Sequence, residues 1–218
     1  MNTPASREGN LVRYGIYLVM YLLLVGWEHL AVGIWHGNVW GMAFYLLLAL
    51  FVFYFLLRRF NREQVYFDRS HDRRMLDDFW LVFALTILIT LVRLATAYLQ
   101  INGKLHQGWL QLNYNNHENA VFFWLLLITK GGLMAGCQQY IATGFFFNYF
   151  FRGQKSGVAG LIISSLVFSL LNFVPSVSGF VFNALLGVLF AWSYLYTHSI
   201  AYPLYLAILN GVLQVILF

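Results

Sequence analysis

Apolar stretches as long as a membrane is thick follow one another along the whole sequence. A transmembrane helix needs about 20 mainly apolar residues, so about seven of them account for nearly all of the chain. The sequence therefore predicts an all-α polytopic membrane protein, a bundle of about seven transmembrane helices that forms one integral membrane domain. The stretches lie near 11–34, 39–57, 79–99, 120–151, 157–173, 179–197 and 203–218.

The composition excludes other classes of protein. Hydrophobic residues make up 61% of the 218 residues and charged residues 10%, whereas soluble domains carry about 45–50% and about 25%. The net charge of +5 does not indicate nucleic acid, because the basic residues gather beside the apolar stretches. Cys137 is the only cysteine, which excludes an internal disulfide. We expect membrane lipid as a partner and no nucleic acid.

The distribution of lysine and arginine predicts the orientation of the bundle. With the N-terminus inside, ten of the 13 basic residues lie in cytoplasmic segments and Lys104 alone lies in an outer loop. Cytoplasmic loops carry such an excess. We therefore predict a multi-pass protein of the plasma membrane with a cytoplasmic N-terminus and an outer C-terminus. The charged segment 58–78 is expected to be a cytoplasmic loop that contains a short interfacial helix.

Two cations fall inside predicted spans, where a charge is costly. Arg93 lies in the outer half of the third span, and Lys130 lies early in the fourth. Each side chain either snorkels to the lipid headgroups or pairs inside the bundle, and Glu28 is a candidate partner for such a pair. The sequence leaves both alternatives open.

The fourth apolar stretch, 120–151, is longer than a straight crossing of about 30 Å of hydrocarbon requires. We expect it to tilt, to kink or to begin along the membrane surface. Gly131, Gly132 and Gly136 are the positions where a kink or a close helix contact is expected.

Neutral polar residues replace carboxylates in the last four spans. After Glu118 the sequence contains no aspartate or glutamate. Carboxylates are common general bases and are the usual ligands of hard metal ions, so these spans offer neither by themselves. The polar residues present are Cys137, Gln138, Gln139 and Thr143 in span four, Ser169 and Asn172 at the end of span five, and Asn210 in the last span.

These residues, in this order, resemble the motifs of the CPBP intramembrane proteases, also called CAAX-protease and bacteriocin-processing or Abi proteins. The family has three helical motifs, EExxxRG, FxxxH and HxxxN, the last often after a Thr-Gly-Ser-Ile-like turn and a proline. In this sequence residues 138–144 resemble the first motif and residues 168–172 resemble the second. The segment from Thr197-His198-Ser199-Ile200 through Pro203 to Gly211 resembles the third. The resemblance implies a CPBP/Abi-like core over 120–218, preceded by N-terminal helices over 1–119, and the breadth of the family indicates a bacterial membrane.

Every position that the resemblance would make catalytic is changed. A glutamine amide cannot accept a proton near neutral pH, and alanine and glycine supply no side-chain ligand. The resemblance therefore implies a pseudoprotease with no catalytic residue, no metal site and no cofactor. Phe168 keeps the phenylalanine of the second motif, and the changed positions are Gln138 and Gln139 for the glutamates, Thr143 for the arginine, Asn172 and Ala207 for the histidines, and Gly211 for the asparagine.

Three functions stay open. The first is a catalytically inactive CPBP-like protein, a scaffold or a bacteriocin-immunity factor, that binds a peptide or the transmembrane helix of another membrane protein. Its binding residues would be Gln138, Gln139, Asn172 and Asn210, although such amides also join helices in many bundles. The second is a peptidase with a relocated active site that uses Glu28, Glu118 or a histidine. The third is a small transporter or channel component.

The remaining reactive side chains are expected to be structural. Cys137 has no histidine near it in its helix, so we expect it to pack in the core. No zinc-binding spacing such as HExxH occurs. Outer histidines and aromatic residues near span ends are predicted to lie at the lipid interface, and they include His29, His36, His106, His117, Trp35, Trp40, Trp80, Trp109 and Trp124.

Overall fold

A computed structural model describes residues 7–34, 38–66, 78–103, 120–151, 157–174 and 176–217. Helices make up nearly all of these ranges, and no strand occurs in them. The predicted all-α bundle of seven helices is confirmed. The helices are α1 (Arg7–Glu28, continued by a π-helical turn His29–Ile34), α2 (Val39–Tyr66), α3 (Phe79–Ile101), α4 (Ala120–Phe150), α5 (Gly157–Leu171), α6 (Val177–Thr197) and α7 (Ala201–Leu217).

The outer surface of the bundle is suited to lipid. The helices α1, α2, α3, α4 and α6 are long and apolar enough to cross a membrane, and α5 and α7 are shorter apolar helices. Trp40 and Trp80 are 85% and 77% exposed beside the first residues of α2 and α3, where tryptophan anchors a helix at the membrane interface. Large apolar side chains face outward along the helices, among them Leu23, Leu47, Phe51, Leu91, Leu170 and Leu185. The chain is a multi-pass membrane protein.

The helix α2 continues beyond the end of its apolar stretch. The sequence-based prediction placed a loop from residue 58, but α2 runs to Tyr66, so that prediction is wrong for 58–66. Within the added turns Arg59 Nε lies 2.6 Å from Glu63 Oε1, a pair at a spacing that supports a helix. Glu63 is also buried against α4, where Tyr149 donates to it. Residues 67–77, including the rest of the predicted interfacial helix, lie outside the described residues.

The helix α4 lies at the centre of the bundle. It contacts α1, α2, α5, α6 and α7, and every residue from 136 to 149 is buried. Two π-helical segments, Leu127–Met134 and Tyr140–Phe145, interrupt its α-helical geometry. Segments of this kind are a recognised cause of helix bending and are frequent at functional sites. The fourth apolar stretch is therefore an irregular helix. Its excess length over a straight membrane crossing had indicated a departure of this kind.

Glycines bring α4 close to its neighbours. A Cβ added to Gly136 would lie 2.6 Å from the Phe53 ring of α2. One added to Gly211 of α7 would lie 2.5 Å from the carbonyl oxygen of Gly131, so the two backbones touch there. Gly132 has no such neighbour within 4 Å. The predicted close contacts are therefore found at Gly131 and Gly136 and not at Gly132.

Candidate functional site

A polar cavity of about 140 Å³ lies inside the bundle. Its walls come from the C-terminal halves of α1, α3 and α7, the end of α5, the N-terminal half of α6 and the first two thirds of α4. The cavity is lined by residues at positions of all three CPBP-like motifs. They are Gln138, Phe168, Asn172, Ala207 and Gly211, and Asn210 lines the same cavity.

The two amides that replace a motif glutamate and a motif histidine meet at one carbonyl group. Gln138 Nε2 donates to the carbonyl oxygen of Phe168 at 2.9 Å, and Asn172 Nδ2 donates to the same oxygen at 2.8 Å. This arrangement joins α4 to the end of α5 and occupies one donor of each amide. Within the described part of the chain, the side-chain oxygen of Gln138 accepts no hydrogen bond.

The other half of the first motif lies outside the cavity. Gln139 is fully buried, and its Nε2 donates to Thr143 Oγ1 at 2.7 Å. The resemblance would place a glutamate and an arginine at these two positions, one helical turn apart. Here a neutral hydrogen bond joins them, so the loss of one charge is matched by the loss of the other. Of the two glutamines only Gln138 is among the residues that line the cavity, because consecutive residues point about 100° apart on a helix.

The third motif leaves little room for larger side chains. Ala207 is buried, and Gly211 lies against the backbone of Gly131. A side chain at Gly211 would push α7 away from α4, so the asparagine of the motif does not fit this packing. Asn210, one position earlier, supplies one of the two amides that α7 presents to the cavity, and Gln214 supplies the other.

An ion pair lines the cavity beside the motif positions. Lys130 Nζ lies 2.8 Å from Glu28 Oε1, and the Tyr45 hydroxyl donates to Glu28 Oε2 at 3.4 Å. Of the two alternatives for Lys130, the interior pair with Glu28 is the one that the structure contains. A carboxylate in the first predicted span and a cation in the fourth were the sequence signal for it.

Arg93 is also interior rather than snorkelling. Arg93 is 5% exposed, and its Nε donates to Asn210 Oδ1 at 2.5 Å. The guanidinium carbon lies 5.5 Å from the centre of the Phe182 ring. The partner is therefore not Glu28 but an amide of α7. No sequence pattern pointed to this pair, because it joins residues 117 positions apart.

The other reactive side chains do not assemble a site in the described ranges. Cys137 is fully buried in the hydrophobic core. His29 is exposed although the adjacent Glu28 points inward. His198 is exposed at the C-terminal cap of α6. No three histidine, cysteine, aspartate or glutamate side chains in these ranges lie close enough to hold a metal ion. The other candidates of the sequence, His36, His106, His117 and Glu118, lie outside the described residues.

The chemistry of the cavity follows from its groups. Glu28 is the single carboxylate among the described residues that line it, and Lys130 pairs with it. Arg93 adds a positive charge, and the amides of Gln138, Asn172, Asn183, Asn210 and Gln214 add hydrogen-bond donors and acceptors. Such groups can bind and orient a polar ligand, since amides both donate and accept hydrogen bonds.

Comparison with known proteins identifies the C-terminal part of the chain. Residues 118–213 match the family model described as Type II CAAX prenyl endopeptidase Rce1-like. Searches among curated proteins and among solved structures found no match. The matched range contains all three motif segments and most of α4 to α7. The resemblance that these motifs indicate is confirmed for residues 118–213, which are similar to the Rce1-like CAAX prenyl endopeptidases of the CPBP family.

Proposed function

We propose that this chain is a catalytically inactive CPBP-type membrane protein that binds a peptide, or the end of a partner's transmembrane segment, in the cavity between its helices. The observation that carries the proposal is the set of groups at the motif positions. Two amides there donate to the carbonyl oxygen of Phe168, and no motif position supplies a carboxylate. Attack of water on a peptide needs a base and stabilisation of the developing charge. Binding needs neither.

The groups that face the cavity support a peptide as the ligand. Asn183 and Gln214 line it, and their side-chain amides bond to none of the described residues. Free amides can pair with the N–H and C=O groups of a peptide backbone, which must be satisfied inside a membrane protein. A role as scaffold or immunity factor would use this binding, with another membrane protein as the source of the peptide.

A relocated peptidase is the second candidate, and one observation favours it. Glu28 lies in α1, outside the matched family region, but it lines the same cavity as Gln138 and Asn172. If Lys130 moved away, Glu28 could act as a general base there. In the structure Lys130 Nζ lies 2.8 Å from Glu28 Oε1 and occupies that oxygen, so this candidate ranks second.

Photo-crosslinking in cells tests the binding function directly. A diazirine amino acid of about methionine size would be introduced at Asn183, which lines the cavity, and separately at Leu185, which is 61% exposed on the same helix. We expect adducts with a polypeptide from position 183 and adducts with lipid from position 185. Adducts with lipid alone from both positions would contradict the proposal.

Purified protein separates the two candidates. We expect membrane-embedded peptides to remain intact when they are incubated with the wild-type protein, and Gln138→Ala to weaken their capture without changing their integrity. Cleavage that Glu28→Gln abolishes, in a variant with an unchanged unfolding temperature, would establish the relocated peptidase instead. Tyr45→Phe, which removes a 3.4 Å hydrogen bond to the same carboxylate, is the matched control for disturbance around Glu28.

A further inference from the structure

Arg93 is the group of the cavity that helix packing leaves unexplained. It is 5% exposed and lines the cavity from α3. Its hydrogen bond goes to a neutral amide, Asn210, and its ring contact is with Phe182. No carboxylate among the described residues forms an ion pair with it. Because a guanidinium stays protonated, the bundle holds a positive charge that meets no negative charge there.

The charge balance of the cavity shows what would complete it. Among the described residues that line it, the charged ones are Arg93, Lys130 and Glu28, and the last two offset each other at 2.8 Å. One positive charge therefore remains. Buried charges are costly unless an opposite charge and good hydrogen bonds meet them. An anion of single charge satisfies both conditions at this position.

Unused hydrogen-bond donors lie around the same space. Asn183 and Gln214 donate to no described residue, and Asn210 uses its oxygen toward Arg93, which leaves its NH₂ group available. A guanidinium supplies five N–H donors, and the structure records one of them, on Nε, in a hydrogen bond. Donors of this kind, gathered around one positive charge, are suited to an oxyanion.

The size of the cavity selects among oxyanions. About 140 Å³ is close to the volume of a cavity that holds a benzene-sized group. A carboxylate is the end group of its molecule, so it enters such a space from one side. A phospholipid phosphodiester is flanked on both sides by bulkier groups. The planar fork of arginine also matches the two oxygens of a carboxylate.

We propose that Arg93, together with the amides of Asn183, Asn210 and Gln214, forms a binding site for the terminal carboxylate of a ligand. Arg93 and Gln214 lie outside the range 118–213 that matches the family, whereas Asn183 and Asn210 lie inside it. The proposal rests on the proposed function in one respect, since it takes the ligand to enter the same cavity. Two sources supply this chemistry, the C-terminus of a peptide and a free fatty acid.

Paired probes test the carboxylate without any variant. The full-length protein in phosphatidylcholine nanodiscs would be titrated with an apolar hexapeptide that ends in a free carboxylate and with its C-terminal amide. A second pair would be dodecanoate and dodecanamide. We expect the carboxylate of at least one pair to bind roughly 10- to 100-fold more tightly than its amide, the range of a hydrogen-bonded charge pair.

Variants then assign the preference to Arg93. Arg93→Gln should remove the preference for the carboxylate, and Arg93→Lys should keep part of it because the charge remains. Arg58→Gln removes an exposed cation from α2 and should leave the preference unchanged. If Arg93→Gln does not accumulate, Asn183→Ala should reduce the preference, and the comparison on the wild-type protein decides by itself.

The outcomes separate the two proposals. Tighter binding of the peptide acid than of the peptide amide supports both the carboxylate site and the peptide ligand. Tighter binding of dodecanoate than of dodecanamide, with no such difference between the peptides, supports the carboxylate site and contradicts a peptide ligand. Equal binding of the peptide acid and the peptide amide, with no discrimination between dodecanoate and dodecanamide, overturns the carboxylate site but leaves peptide binding in place. Binding of none of the four probes overturns the carboxylate site, as does displacement of the acids by phosphatidylglycerol at equal concentration.

Discussion

Two buried glutamates lie toward opposite ends of the bundle and have different surroundings. Glu63, near the end of α2, accepts from Arg59 Nε at 2.6 Å and from the Tyr149 hydroxyl at 2.6 Å. Glu28, near the end of α1, is paired with Lys130 at 2.8 Å and has a longer hydrogen bond of 3.4 Å from Tyr45. The first carboxylate joins α2 to α4, and the second lines the cavity.

The difference distinguishes a structural carboxylate from one at a binding site. Both oxygens of Glu63 have short hydrogen bonds, and the hydroxyl of Tyr149 also lies 3.4 Å from that of Tyr17 of α1, so three helices meet in one network. A fully satisfied polar network fixes the packing of helices. At the Glu28 end the polar groups border empty space, and several have donors to spare. The carboxylate of Glu28 therefore borders a cavity, whereas both oxygens of Glu63 are bonded to side chains of the bundle.

The strongest test of the comparison asks which end faces which side of the membrane. The arginine and lysine distribution predicts that the cavity end is outside and the Glu63 end is inside. Asn102→Cys lies just after α3 at the cavity end, and His198→Cys lies after α6 at the other end, both at exposed positions. In intact cells we expect an impermeant thiol reagent to label the first and not the second.

The native Cys137 is fully buried and should contribute little background in that experiment. After permeabilisation both introduced cysteines should react. Labelling of His198→Cys in intact cells with Asn102→Cys protected would reverse the orientation.

The next largest effect is expected where α7 touches α4 at the wall of the cavity. Gly211→Asn restores the residue of the third motif but places a Cβ 2.5 Å from the carbonyl oxygen of Gly131. The two helices must separate, so we expect a loss of about 3 kcal/mol in the free energy of unfolding, or failure to accumulate. Thermal unfolding in detergent micelles measures it. Gly132→Ala, with no neighbour within 4 Å, is the control and should unfold at about the wild-type temperature. A stable Gly211→Asn protein would show that this wall is pliable.

The two glutamates themselves should differ in their contributions to stability. Glu63→Ala leaves the buried Tyr149 hydroxyl without its short hydrogen bond and should cost about 2 kcal/mol. Glu28→Ala should cost about 1 kcal/mol, because Lys130 lines a cavity where water can solvate it. The free energy of unfolding of the two variants, measured side by side, checks the order. The control is Glu63→Gln, which keeps an acceptor for Tyr149 and should recover part of the lost stability. If Glu28→Ala cost as much stability as Glu63→Ala, or more, the distinction between the two ends would be removed.

The smallest effects are expected at two residues with left-handed backbone conformation. His198 caps α6 with φ of 56° at the Glu63 end, and Phe173 follows α5 with φ of 50° and lines the cavity. Glycine adopts this conformation without the steric cost of a side chain, so His198→Gly should stabilise the protein by about 1 kcal/mol. Phe173→Gly should gain a similar amount but weaken ligand binding, because it removes a wall of the cavity. Calorimetry measures the unfolding temperature of each variant, and peptide titration measures its affinity. Unchanged peptide affinity of Phe173→Gly would mean that the Phe173 ring does not contact the ligand.

His198 also links the resemblance in sequence to a backbone conformation. It occupies the glycine position of the Thr-Gly-Ser-Ile-like turn, and the structure places that position in the left-handed region. The glycine of the motif would adopt this conformation without strain, and histidine adopts it here. Histidine is one of the non-glycine residues enriched in this conformation.

The extent of the fold that could be predicted differs between helices. The apolar stretches located all seven helices, and every helix end except that of α2 to within a few residues, because hydrophobic length is a local property that a membrane requires. The end of α2 was missed, since Arg59, Arg62 and Glu63 form a charged sequence that reads as a loop. What extends this helix is the burial of Glu63 against Tyr149, 86 residues later.

The sequence by itself determined the class of the protein, its family resemblance and the chemical identity of the motif positions. Those properties depend on residue type and on spacing along one helix. Only the tertiary structure decided that Gln138 and Asn172 share one acceptor, that Gln139 leaves the cavity, and that Lys130 meets Glu28 while Arg93 meets Asn210. Such partnerships depend on how far each helix rotates and how closely it approaches its neighbours, and glycines such as Gly211 set that approach through contacts between residues far apart in the chain.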